Sequence, residues 1–146
     1  MSKSIQDDGW LSGDFNYLPY PSEDIVKNIK IIGPKLKGYV EEQEYSRQGY
    51  SSTRLSIVPL DGNPRLKKLE VAEISHDNEV TSHEKIYNTQ GEYHFLASEH
   101  DGLYDIAIHY SGTKGVLREG KEDIEVVNES HLYHYNEKKQ QYLQVK

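Results

Sequence analysis

The chain has 146 residues, which is the size of a single domain. Its 17 basic and 24 acidic residues give a formal net charge of −7, and because a nucleic-acid binder needs clustered positive charge, this balance argues against nucleic acid as the main partner. The chain contains no cysteine, which excludes disulfides, thiolate metal sites and cysteine nucleophiles. No apolar run approaches the ~18 residues of a membrane span, and no apolar signal core follows the first residues. We therefore expect no membrane span and, without a signal or cysteines, a cytoplasmic location.

The first part of the chain predicts an irregular arm followed by strands. Residues 1–24 carry glycines and prolines and show no helical periodicity, so we expect an N-terminal arm there and one domain over 25–146. Residues 25–32 are rich in β-branched side chains and stop at a Gly-Pro pair, which predicts a strand. Residues 35–45 predict a second strand that ends in an acidic stretch.

The middle of the chain continues as short strands separated by turns. Residues 53–60 alternate apolar and polar side chains, and the Asp-Gly-Asn-Pro sequence at 61–64 is a strong turn signal. Residues 65–75 alternate again and end at a polar turn over 76–79. A short strand is expected over 80–87.

The clearest alternation follows a predicted turn at 88–91. Residues 92–97 and 103–110 both place aromatic and aliphatic side chains on one face, and the loop that joins them ends in glycine, which predicts a hairpin. We expect a further turn at 111–115 and a strand over 116–127. The tail predicts a final hairpin around residues 136–138.

Turn signals recur roughly every eight to fifteen residues, and no segment keeps a period of 3.6. This pattern predicts an all-β fold, an antiparallel β-sandwich such as an immunoglobulin-like jelly roll. The side chains expected in its core are Leu55, Ile57, Leu69, Val71, Tyr93, Phe95, Ile106, Ile108, Ile124 and Val126.

Seven histidines raise the question of a metal site. They are scattered along the chain, and no pair has the spacing of a metal-binding motif such as HExxH. His131 and His134 are three residues apart, which in a strand places them on opposite faces. We therefore expect no metal and no other cofactor.

Motifs for catalysis are also missing. The chain has no G-x-S-x-G, Walker or G-x-G-x-x-G sequence, and the Ser-Gly-Thr-Lys-Gly stretch at 111–115 suits a hairpin turn better than a phosphate-binding loop. The sequence thus favours a non-enzymatic protein. A small β-enzyme that uses converging carboxylates or histidines is an open alternative.

A binding function leaves two candidate surfaces. The first is acidic and would attract a protein partner with a basic surface, because loops and exposed charges on a rigid sandwich can steer association. Its residues are Glu41, Glu42 and Glu44 in one patch and Glu99, His100 and Asp101 at the predicted hairpin tip. Both patches can equally be ordinary solvated faces.

The second surface is an aromatic platform that would stack on sugar rings, formed by Trp10, Tyr133, Tyr135 and Tyr142. The sequence leaves the oligomeric state open.

One stretch resembles a known family. Residues 69–127 contain a hydrophobic strand, a polar turn at 76–79, the sequence Gly-Glu-Tyr-His-Phe-Leu-Ala at 91–97, an acidic loop with glycine and a closing Ile-x-Val strand. This order resembles the GOLD domain of the p24 (emp24) secretory-pathway family, although the family's usual pair of cysteines is absent. The resemblance implies a β-sandwich that binds cargo or coat proteins, and a location in the secretory lumen.

Overall fold

The computed structural model describes residues 27–61, 67–79 and 85–146. Within these ranges the chain is 77% strand, with no helix, and all pairing is antiparallel. The strands are β1 (Ile29–Gly33), β2 (Leu36–Arg47), β3 (Tyr50–Pro59), β4 (Leu69–Asp77), β5 (Asn88–His100), β6 (Leu103–Arg118), β7 (Lys121–Asn136) and β8 (Gln141–Gln144). The predicted all-β class is confirmed, whereas the predicted arm at 1–24 lies outside the described residues.

Each strand pairs with its neighbour in sequence, so the order in the sheet is β1 to β8. Three of the hairpins turn through two residues that both have positive φ, at Gln48-Gly49, Asp101-Gly102 and Glu119-Gly120. This is the type I′ geometry, whose twist matches that of the flanking strands, and glycine at the second position adopts it without steric cost. Short local turns therefore build most of the sheet.

The sheet folds into two halves where β4 meets β5. Only three residue pairs join these strands, between Ser75–Asp77 and Asn88–Gln90, and beyond them the strands diverge. The half formed by β1–β4 can then pack against the half formed by β5–β8. Accordingly β4 lies against β8 and β1 lies against β6, although neither pair is hydrogen-bonded as neighbours. The result is a sandwich-like arrangement made from one continuous sheet.

One apolar cluster fills the space between the halves. Seven of the eight strands contribute buried side chains to it, and β5 contributes Tyr93 and Phe95, which are half-buried and pack against the cluster. The predicted core residues that are buried are Leu55, Ile57, Leu69, Val71, Ile106 and Ile108. Alternation along each strand was enough to identify them.

The prediction that Ile124 and Val126 are buried is wrong. Their side chains are 37% and 78% exposed, whereas the adjacent Val127 is only 6% exposed. Val127 and Tyr133 are an even number of positions apart in β7, so they share the core-facing side, and Val126 points the other way. Among the described residues, this part of β7 pairs only with β6.

Two predicted turns are instead continuous strand. Residues 88–91 begin β5, and residues 111–115 lie inside β6. Thr113 stabilises this region, because its Oγ1 accepts a hydrogen bond from the Asn88 amide at 3.0 Å and its carbonyl accepts one from Thr89 Oγ1 at 2.7 Å. The predicted turn at 76–79 starts later, since β4 extends to Asp77. Of the predicted strand at 80–87, only residues 85–87 are described, and they are not in a strand.

Candidate functional site

A buried carboxylate lies between two histidines near the start of β6. Asp105 is 1% exposed, and its Oδ1 lies 2.7 Å from His100 Nδ1. Its Oδ2 lies 3.6 Å from His134 Nε2. The two imidazole rings stack with their centroids 3.7 Å apart and their planes 15° from parallel. We call these three residues the His–Asp–His cluster.

A bulge in β5 makes room for Asp105. Phe95 pairs with Ile106 and Glu99 pairs with Tyr104, so three residues of β5 lie opposite the single residue Asp105. A bulge of this kind redirects side chains, and here it brings Ser98 Oγ within 2.6 Å of Asp105 Oδ2, to which it donates a hydrogen bond. The bulge therefore replaces an ordinary strand pairing with a side-chain contact to the buried carboxylate.

The two histidines reach Asp105 from different strands. His100 is the last residue of β5 and pairs with Leu103 across the Asp101-Gly102 turn. His134 lies on β7 directly after Tyr133, which pairs with Ile106. The cluster thus depends on the β5–β6 hairpin turn and on the register of β7 against β6.

The surroundings of Asp105 keep its carboxylate charged. Burial alone would raise the pKa of Asp105, because a charged group is less stable away from water. Hydrogen bonds from Ser98 and His100, together with the nearby His134, outweigh burial and hold the pKa of Asp105 below its ordinary value of 3.8. At neutral pH the carboxylate is therefore an acceptor, and His100 Nδ1 must carry the proton that it shares with Oδ1.

The arrangement does not match a Ser-His-Asp nucleophile. In such a triad the imidazole lies between the hydroxyl and the carboxylate, whereas here the carboxylate of Asp105 lies between Ser98 and His100. Ser98 Oγ donates its proton to Asp105 Oδ2 instead of to an imidazole. Two imidazole nitrogens and a carboxylate oxygen that all lie within 4.8 Å of one another are instead the kind of group that can hold a transition metal.

The cluster opens to the outside through a shallow hollow. The hollow has a volume of about 320 Å³, and His100 and His134 line it together with Leu143, Gln144 and Val145. The His134 side chain is 30% exposed and that of His100 is 48% exposed, whereas that of Asp105 is 2% exposed. A small ligand can therefore reach the imidazoles from solvent.

The three residues predicted at the hairpin tip have different surroundings in the structure. Glu99 is exposed, and His100 belongs to the His–Asp–His cluster. Asp101 is a turn residue whose Oδ2 accepts a hydrogen bond from the Glu137 amide at 3.0 Å, which ties this turn to the β7–β8 loop. The tip is therefore partly a structural junction.

The predicted acidic patch on β2 is divided between two faces. Glu42 and Glu44 are exposed and share one face, because strand side chains alternate. Glu41 points the other way and forms an ion pair with Lys68, with Oε1 and Nζ 2.6 Å apart. The three carboxylates do not form a single surface.

Two of the tyrosines proposed to stack on sugars are in the core. Tyr133 is 6% exposed and Tyr142 is 4% exposed, and the Tyr142 hydroxyl donates a hydrogen bond to the Tyr104 carbonyl at 2.9 Å. Tyr135 is half-buried and packs against Tyr142 with ring centroids 5.7 Å apart. Trp10 lies outside the described residues. Tyr133 and Tyr142 therefore have no exposed ring face to offer a sugar.

Sequence reasoning treated the histidines as dispersed and so missed the cluster. The Asp-Gly pair at 101–102 is a type I′ signal that places His100 at the hairpin end. His134 comes level with Asp105 because the Glu119-Gly120 turn fixes the register of β7 against β6, which runs without a shift from Arg118–Lys121 to Ile106–Tyr133. Sequence reasoning missed this signal, because it predicted a single strand over residues 116–127. The other described histidines lie apart, as with His94 near Glu92 and His109 hydrogen-bonded to Ser130.

A second feature is the outer part of the β6–β7 hairpin. The pairing of β5 with β6 ends at Gly112, and among the described residues the segments 113–118 and 121–126 pair only with each other. We call this segment, residues 113–126, the β6–β7 ribbon. On one of its faces, ion pairs of 3.4–3.7 Å link charged side chains, namely Lys114, Arg118, Asp123 and Glu125. Exposed apolar side chains occupy the other face, namely Leu117, Ile124 and Val126.

Comparison of the chain with protein-family models, with curated proteins and with solved structures finds no match. The resemblance to the GOLD domain therefore stays a prediction. No helix in the described ranges has the length and hydropathy that would let it cross a membrane.

Proposed function

We propose that this protein is a non-enzymatic β-sandwich module that binds a protein partner through the apolar face of the β6–β7 ribbon. The observation that carries the proposal is the exposure of Leu117 at 75% and Val126 at 78% in a chain whose mean hydropathy is −0.82. Grouped apolar side chains on the surface of so polar a protein are typical of a contact site.

The register of the ribbon supports a continuous patch. Gly115 pairs with Ile124, and Thr113 pairs with Val126, so these positions share one face with Leu117. Gly115 has no side chain, and the Tyr87 ring packs over it, whereas Ile124 and Leu117 beside it are exposed. The twist of a two-stranded ribbon presents such a row as a narrow ridge.

The charge of the chain indicates the chemistry of the partner. The net charge of −7 favours association with a basic surface, and Glu122 flanks the apolar row as the cross-strand partner of Leu117. The partner we propose is a protein with an apolar groove bordered by basic residues. The resemblance to the GOLD domain adds a class for it, a cargo or coat protein of the secretory pathway.

The test compares two faces of the same ribbon. The wild-type chain captures partners from an extract of its host, and binding of the captured protein is then measured for Leu117→Ser/Val126→Ser and for the control Lys114→Ser/Glu125→Ser. We expect the apolar-face variant to weaken binding at least ~10-fold, because it removes buried apolar contact, and the control to bind like wild type.

Unchanged affinity of the apolar-face variant contradicts a contact at the ribbon. A third variant, Glu42→Lys/Glu44→Lys, then tests the remaining acidic surface. If that variant alone changes the association rate and its dependence on salt, the partner binds at β2, and attraction to the carboxylates of Glu42 and Glu44 guides the association.

A further inference from the structure

We propose that the His–Asp–His cluster binds a divalent transition-metal ion of the zinc class, through His100 Nδ1, His134 Nε2 and the carboxylate of Asp105. This site is independent of the partner surface on the ribbon. It also reverses the expectation from the sequence that no metal is bound.

The positions of the ligand atoms support the proposal. Ligand atoms around a tetrahedral zinc ion lie about 3.3 Å apart, given metal–ligand distances of roughly 2.0–2.2 Å. Asp105 Oδ1 lies 2.7 Å from His100 Nδ1 and Asp105 Oδ2 lies 3.6 Å from His134 Nε2, and one ligand atom of each residue lies within 4.8 Å of the others. To bind one ion, the stacked imidazole rings must rotate until their nitrogens converge, and the proton on His100 Nδ1 must leave that nitrogen.

The ligand types select the class of metal. Imidazole nitrogen suits zinc, copper, nickel, cobalt and iron, whereas calcium and magnesium take six or more oxygen ligands. Two nitrogens and one carboxylate leave at least one coordination position free. The hollow beside Leu143 and Val145 is lined by both imidazoles, so a water molecule or an external ligand could reach a bound ion from there.

The surroundings of Asp105 resemble the support that metal ligands usually have. Ser98 Oγ donates to Oδ2 at 2.6 Å and orients the carboxylate, as outer groups do for metal-binding carboxylates. The bulge between Phe95 and Glu99 that positions Ser98 interrupts an otherwise regular strand pair. The alternative explanation is a hydrogen-bond network that only fastens the hairpin, and the experiment must distinguish the two.

The experiment uses the full chain after dialysis against a chelator. Co²⁺ binding is followed by its visible d–d absorption, and Zn²⁺ binding is followed by calorimetry and by the melting temperature. We expect one ion per chain, and no response to Mg²⁺ or Ca²⁺. The variants are His100→Gln, His134→Gln and Ser98→Ala. The control is His94→Gln/His109→Gln, which removes two exposed histidines of β5 and β6 outside the cluster.

A graded result is expected. Loss of the orienting group in Ser98→Ala should weaken binding about 10–100-fold, and loss of either histidine should weaken it more than that. The control should bind like wild type. Because both cluster histidines are partly exposed, their glutamine variants should keep the fold, which far-UV circular dichroism and the metal-free melting temperature verify.

Three results overturn the proposal. The first is the absence of Co²⁺ and Zn²⁺ binding at millimolar metal. The second is equal affinity in wild type and in His100→Gln/His134→Gln, and the third is loss of binding in the control, since either of these places the ion on histidines elsewhere. In each case the cluster is a structural hydrogen-bond network.

Discussion

Two adjacent valines of β7 give a direct test of the register of this strand. Val127 is 6% exposed and Val126 is 78% exposed, so the same substitution to alanine probes opposite faces at neighbouring positions. Val127→Ala removes two buried methyl groups, worth about 1.6 kcal/mol at ~0.8 kcal/mol each, and the cavity left behind adds to this loss. We expect Val127→Ala to lower the free energy of unfolding by about 1.5–3 kcal/mol and Val126→Ala to change it by less than about 0.5 kcal/mol.

Urea denaturation followed by circular dichroism measures both values, and a thermal melt provides a second reading. A loss of this size corresponds to a fall in Tm of about 4–10 °C for Val127→Ala. The reasoning is refuted if Val126→Ala is as destabilising as Val127→Ala or more so. That outcome would mean that β7 is shifted by one residue, because a one-residue slip exchanges the two faces of a strand.

Two further predictions concern Tyr110 and Gly112. Burial, with help from the neighbouring Tyr133, raises the pKa of Tyr110 above its ordinary value of 10.0. As the pH passes 10, the Tyr110 hydroxyl therefore ionises only in the unfolded chain. The stability that the neutral Tyr110 side chain contributes is therefore complete below pH 10 and declines above it. Urea titrations from pH 8 to 11 should show a weaker decline in the free energy of unfolding for Tyr110→Phe than for wild type. Identical slopes would contradict the raised pKa of Tyr110. Gly112 has a φ of 96°, and a Cβ there would collide with the Asn88 carbonyl, whereas Gly120, with a φ of 77°, has open space around it. In thermal melts Gly120→Ala should cost about 1–2 kcal/mol and Gly112→Ala clearly more, and an equal cost would show that the contact with Asn88 is not rigid.

Local pattern was sufficient for most strands and for part of the core. Pairs such as Leu55 and Ile57, or Ile106 and Ile108, alternate with polar neighbours, and both pairs are buried. Glycine at the second turn position explains the tight hairpin at Gly102. The prediction of a single strand over residues 116–127 is wrong, because the Glu119-Gly120 turn divides it between β6 and β7. Pattern failed at residues 88–91 and 111–115, where turn-forming residues lie inside long strands. There, hydrogen bonds to a partner strand outweigh local preference.

The candidate site also separates what the sequence predicts from what the tertiary structure decides. The sequence by itself determined an antiparallel all-β protein without cysteine, because strand alternation and turn chemistry depend on neighbouring residues. Only the tertiary structure decided that Ile124 and Val126 face solvent, and that His134 meets His100 over a buried Asp105. These outcomes depend on the register of β7 against β6 and on the bulge in β5. The register of β7 follows from the two-residue turn at Glu119-Gly120, and the bulge is defined only by the pairing of β5 with β6. Alternation within a single strand therefore does not reveal which side chains meet across the sheet.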